Sequence, residues 1–293
     1  MHIAKSGGWV GTALLAVALA ACSTGPFVDG NGQRTESERN TPAFEEVHVG
    51  DGVEATVVVE PDQPARVIVE GDSNLVELLR TEVKPGARLG VYFREEDVGH
   101  WESVHPLRVR ITVPTLKSFR RSGGGASDLS GRIDVPAFLL TASGGGTIRA
   151  RGFVTERLTL ETSGGTETTL EGQATRLDSE MSGGGRLFAT GLQTRDARLE
   201  SSGGGTSEVQ VSDTLRVEAS GGADIRIIGA PTVVDRDLSG GSRLHFDSRE
   251  RASMGARLSG AVGLRLQSSS GARPPARHRL PRDTAWCGPC SGR

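Results

Sequence analysis

Apolar side chains recur at every second position through most of this chain. Counting back one, three and five residues from Ser143 gives Ala142, Leu140 and Phe138; from Ser163 it gives Thr162, Leu160 and Leu158, and from Ser220 it gives Ala219, Val217 and Leu215. That alternation predicts strands with one buried face. A second alternation follows each Ser-Gly step, as in Val209 and Val211, Ile225 and Ile227, Leu244 and Phe246, Leu264 and Leu266. Arg236 and Ser179 stand where neighbouring segments put leucine or valine, which predicts a bulge or a one-residue slip at those points.

The alternation is punctuated with a fixed period. Ser-Gly occurs at Ser122-Gly123, Ser143-Gly144, Ser163-Gly164, Ser182-Gly183, Ser202-Gly203, Ser220-Gly221, Ser239-Gly240 and Ser259-Gly260, with gaps of 21, 20, 19, 20, 18, 19 and 20 residues. A period near 20 held over so many copies predicts an all-β solenoid, a β-helix in which each repeat is one coil stacked on the last. These sixteen residues are read as structural coil corners, where glycine lets the backbone turn and neighbouring coils approach.

Before the repeats, strands are expected over 44–49, 53–60, 65–70, 88–93 and 107–113, with a turn at Pro61-Asp62-Gln63-Pro64. Asn74 followed by Glu77 resembles a capping box and predicts a short helical turn. Residues 94–105 read as a polar loop, and within it His100, Trp101, Glu102 and His105 form the candidate contact surface, an aromatic beside charged groups.

The run Val67-Ile68-Val69-Glu70-Gly71-Asp72-Ser73-Asn74-Leu75, the later Leu107-Arg108-Val109-Arg110-Ile111-Thr112-Val113-Pro114-Thr115-Leu116 and the Ser-Gly-Gly repeats together resemble the head GIN domain family of auto-transporter adhesins, over roughly 44–267. The resemblance implies an exported or lipid-anchored β-solenoid without an assigned enzymatic activity, and it brings no catalytic residues with it.

The N-terminus changes the picture most. Lys5 precedes a short apolar run from Val10 to Ala21, which ends in Leu19-Ala20-Ala21-Cys22. Twelve residues fall short of the ~20 that span a bilayer, so this is an export signal. Leu-Ala-Ala-Cys resembles a bacterial lipobox, which implies cleavage between Ala21 and Cys22 and lipid on Cys22. Two or three acyl chains, at about 0.8 kcal/mol per buried CH₂, would then hold the protein on a membrane. Ser23 in place of aspartate favours the outer membrane. The expected organisation is a signal peptide over 1–21, a lipidated N-terminus and polar tether over 22–42, a solenoid domain over 43–268 whose part 43–115 caps the stack and whose part 116–268 forms the repeat coils, and a disordered Arg/Pro-rich tail over 269–293.

Charge and composition narrow the function classes. Thirty-four basic and 36 acidic side chains leave a net charge of −2, which argues against a nucleic-acid binder. Forty-one glycines and 4% aromatics fit stacked coils better than a compact α/β enzyme. Trp286-Cys287-Gly288-Pro289-Cys290 has the letters of a thioredoxin motif, but only three residues follow Cys290, too few for the helix that such a motif opens. The glycines follow neither a nine-residue calcium repeat nor a phosphate loop. A column four past each serine reads Ala126, Thr147, Glu167, Arg186, Thr206, Asp224, Arg243 and Gly263, without a concentrated pair of acids. The reading is therefore a non-catalytic, adhesin-like envelope lipoprotein without cofactor or metal. Its partners are the membrane through Cys22 and a polysaccharide or an envelope or matrix protein, and nucleic acid is excluded. A carbohydrate-active β-helix enzyme and a self-assembling structural protein are the rival readings.

Overall fold

A computed structural model of the chain describes residues 25–247. Ala21, Cys22, Ser259-Gly260, Cys287 and Cys290, with the signal, residues 22–24 and the tail, lie outside the described residues. The reading of 22–42 as a polar tether is corrected over its described part: Phe27–Asp29 and Arg34–Arg39 are strands paired with later parts of the chain.

Within them the solenoid is present, built from two parallel strand ladders joined by the glycine corners. The coils are carried by β10 (Ser118–Ser122), β11 (Ala126–Gly131), β12 (Ile133–Gly183), β13 (Arg186–Gly203), β14 (Thr206–Gly221), β15 (Asp224–Ile228), β16 (Thr232–Leu238) and β17 (Arg243–Asp247). β12 runs unbroken through more than two coils, its corners turning at positive-φ glycines such as Gly144 (+100°) and Gly164 (+93°). Each coil pairs with the next at the same point of the repeat: Ser122 opposite Ser143, Ser182 opposite Ser202, Ser202 opposite Ser220. Inward residues such as Leu140, Leu160, Leu177, Leu199, Val217 and Ile225 are almost fully buried, and Phe138 meets Phe153 edge-on at 5.2 Å. Burial of these alternate side chains drives the stacking at about 25 cal/mol per Å² of apolar surface.

Gly183 shows why the corner is glycine. Its φ is +104°, and a Cβ there would come within 2.8 Å of the Gly164 carbonyl oxygen in the preceding coil. Coil-to-coil bonds at the corners run through the backbone, as in Gly184 N–H to the Gly164 carbonyl at 3.1 Å and Gly222 N–H to the Gly203 carbonyl at 2.8 Å. The corner serines sit outside, exposed or half-buried. Ser179 stays in register opposite Leu199 and is buried, so no slip occurs there; β16 does shift by one residue, between Val233 and Asp235, and Arg236 is exposed.

The N-terminal segment closes one end and also contributes coils. β3 (Glu46–Val49) pairs in parallel with β10, and β4 (Glu54–Val59) with β11. Outside them lie β7 (Arg88–Tyr92), parallel to β3, and β9 (Arg108–Val113), parallel to β4. Antiparallel strands then finish the stack: β5 (Arg66–Asp72) on β9, β2 (Arg34–Arg39) on β5, and β6 (Arg80–Lys84) on β7. Between β5 and β6, α1 (Ser73–Leu78) puts Leu75 and Val76 into the core. The helix begins after Asp72 rather than at Asn74. Asn74 lies inside it, its amide donating to the Asp29 carbonyl at 2.8 Å and its side-chain oxygen accepting from the Asn31 N–H at 3.0 Å. A cap whose outer strand reads Arg-Thr-Glu-Ser-Glu-Arg leaves a charged edge that resists further pairing.

Candidate functional site

The 94–105 segment is less free than its composition suggests. His100–Glu102 is a strand, β8, zipped in parallel to β1 (Phe27–Asp29). The indole N–H of Trp101 donates to the Asp51 carbonyl at 2.9 Å, and its ring packs 6.0 Å from Phe93, so the aromatic clasps the β3–β4 corner instead of standing out as an anchor. His105 Nδ1 lies 2.7 Å from Asp72, which is fully buried. Burial alone would raise the Asp72 carboxyl. The hydrogen bond from His105 and the backbone N–H groups of Val104 and His105 outweigh it and hold the carboxyl below the usual range. His100 and Glu102 remain exposed, with His100 stacked 5.6 Å from Phe27. The reading as an open loop is corrected: two of its four residues are fasteners.

The stack makes two extended features that the candidate residues did not include. The first is a line of carboxylates two residues before the corner serines from Ser163 to Ser239. Glu180 stands opposite Glu200, Glu200 opposite Glu218, and Glu218 opposite Asp237. Glu161 holds the same position in the coil before and accepts from the Thr141 hydroxyl. Arg198 pairs with Glu200, while Asp178 in the neighbouring row pairs with Arg176 at 3.3 Å and Arg157 at 3.6 Å. These acids stand side by side on an open face. A glycosidic bond needs two carboxyl groups across it, and a row along one face does not supply that arrangement. Among the described residues no three His, Cys, Asp or Glu side chains gather as a metal site. The signal was in the sequence, two positions before the serines from Ser163 to Ser239 rather than four after them.

The second feature is a groove of about 860 Å³ on the third side of the coil, between the second glycine corner and the next strand. Asp134 to Pro136, Val154 to Glu156, Gln173 to Thr175, Gln193 to Arg195, Gln210 to Ser212 and Ile228 to Ala230 line it, one short segment from each successive coil. Gln173 stands opposite Gln193 across the ladder. Arg195 donates to Asp213 at 2.9 Å, and the Ser212 hydroxyl and that guanidinium together hold the Asp213 carboxyl low.

A family model described as "Putative auto-transporter adhesin, head GIN domain" matches residues 43–231, which takes in the cap, the coils and this groove. The chain belongs to the head GIN domain family. Among solved structures, head GIN-like coils recur in a putative adhesin from Bacteroides fragilis NCTC 9343, with a TM-score of 0.68 and 18% identity over 75% of this chain and 98% of that one. A putative lipid binding protein from Parabacteroides distasonis ATCC 8503 superposes with a TM-score of 0.62 and 18% identity, over 76% of this chain and 100% of its own. A putative adhesin from the same strain has a TM-score of 0.60 and 21% identity over 76% of this chain and 100% of that one. At such identities the likeness is one of fold. No curated protein matches the chain.

Proposed function

We propose that this head GIN protein is a lipid-anchored, non-catalytic adhesive protein of the bacterial envelope, held by Cys22 at the outer membrane and presenting its coil stack from there. The observation that carries the reading is the pairing of a lipobox-like Leu19-Ala20-Ala21-Cys22 with a rigid stack whose functional candidates are extended faces, a carboxylate row and a groove, rather than a converging pair of reactive groups. Extended faces suit recognition of a polymer or another surface, whereas catalysis needs groups aimed at one reacting atom. Membership of a family of adhesins supports the same reading.

Two experiments test it. Cys22→Ala should move the protein from the membrane fraction to the soluble fraction and remove acyl label; membrane retention of the variant would refute the anchor. Beads coated with the chain beginning at Cys22 should adhere to cell surfaces or matrix proteins, and the same protein should release no products from polysaccharides. Product release abolished by replacing one carboxylate would convert the reading to an enzyme.

A further inference from the structure

The groove on the third side of the coil has a shape and chemistry that select a ligand. It spans the segments at 134–136, 154–156, 173–175, 193–195, 210–212 and 228–230, so it crosses five coil-to-coil steps. At about 4.8 Å a step it is roughly 24 Å long. Its run along the stack, one segment from each coil, suits an extended chain lying in it.

The lining then separates the extended chains. An added peptide strand needs a free sheet edge, but coils flanking the groove spend their backbone groups on each other, as in the Gln173–Gln193 and Gln210–Ile228 pairings. A polyanion needs unpaired cations. Arg195, the cation in the lining, is engaged by Asp213; Asp134 is likewise taken up by Arg132, and Glu156 leaves negative charge on the rim. What the groove does offer is a run of side-chain amides, Gln173, Gln193 and Gln210, without side-chain partners among the described residues, in a column that Val154, 43% exposed, and Ile228 continue in the flanking coils. An amide both donates and accepts, which is the requirement for meeting rows of hydroxyls, and an exposed apolar side chain such as Val154 suits the C–H face of a sugar ring.

We infer that this groove binds a single chain of neutral polysaccharide lying along the solenoid axis, with Gln173, Gln193 and Gln210 reading its hydroxyls. The inference rests on the adhesive reading and names its ligand class.

The test uses the chain beginning at Cys22 with Cys22→Ala, in affinity electrophoresis through gels carrying dextran, amylose or a mixed-linkage β-glucan, with alginate and heparin as charged counterparts. Retardation is expected in a neutral glycan and not in the charged ones. The triple variant Gln173→Ala, Gln193→Ala, Gln210→Ala should weaken it at least tenfold with an unchanged unfolding midpoint. Gln193→Glu, nearly isosteric, should also weaken binding, whereas Glu218→Gln on the carboxylate row should not. Retardation that survives both groove variants, retardation only in charged glycans, or none in any neutral glycan overturns the assignment. Bead adherence separates the two claims: adherence kept by the triple variant leaves the adhesive reading standing without the groove, and wild-type beads that adhere to nothing remove the adhesive reading itself.

Discussion

Gly183 and Gly184 are neighbours of the same type with opposite demands. Gly183 has φ +104° and no room for a Cβ, while a Cβ at Gly184 meets nothing within 4 Å. Gly183→Ala should cost at least about 2 kcal/mol of unfolding free energy, and Gly184→Ala should stay within about 0.5 kcal/mol. Urea unfolding followed by far-UV circular dichroism measures both, and equal effects would show that the corner does not select glycine by geometry. Proton linkage acts at Asp72 in the same residue-level way. A carboxyl with a folded pKa below its unfolded value stabilises the fold above the unfolded pKa and loses that contribution as pH falls through the folded one. Stability should therefore decline below about pH 4. His48, which burial and then the charges of Arg120, Arg88 and Lys84 push below the ordinary imidazole value, stabilises its neutral form and begins to withdraw support at higher pH, below about 6.5. His48→Gln should flatten the thermal midpoint between pH 7 and 5, and Asp72→Asn should flatten it below 4 at the expense of a lower midpoint at neutral pH.

The ladder is the element on which the carboxylate row depends. Like charges directly opposite one another destabilise a sheet, and Glu218 has Glu200 on one side and Asp237 on the other. Glu218→Gln should raise stability by about 0.2–1 kcal/mol at low ionic strength. The gain should vanish near 1 M salt, where the screening length is about 3 Å; a gain that persists would point to packing rather than charge. At this scale the sequence was most legible, because inward alternation and corner spacing are local properties of each repeat. Phe138, Leu158, Leu160 and Ile225 could be placed in the core by counting from a serine, and they are there. The carboxylate row was equally readable but sits in a column two places back. The groove was not, because its segments change from Val154-Thr155-Glu156 to Gln193-Thr194-Arg195 and become one surface only when stacked. Trp101 and His105 misled for a related reason: polarity near Gly99 and Pro106 reads as a loop, while their partners Asp51 and Asp72 lie far away in the chain.

In the whole molecule, the order of coils in space departs from their order in sequence. β3 and β4 come first along the chain, yet they lie between β7 with β9 on one side and β10 with β11 on the other. No single-residue pattern encodes that insertion, since it is a matter of long-range pairing. It bears on how the protein acquires its shape as the chain emerges N-terminus first. The earliest coil to emerge has neither neighbour available, and it waits with both edges bare until residue 113 has supplied one and residue 131 the other. Everything after that adds to a finished end, one short contact at a time. The chain therefore has one slow, non-local closure near its start, followed by a run of fast local additions. The interval before closure is when this β-rich sequence is most exposed to wrong pairing and most in need of a chaperone beside it.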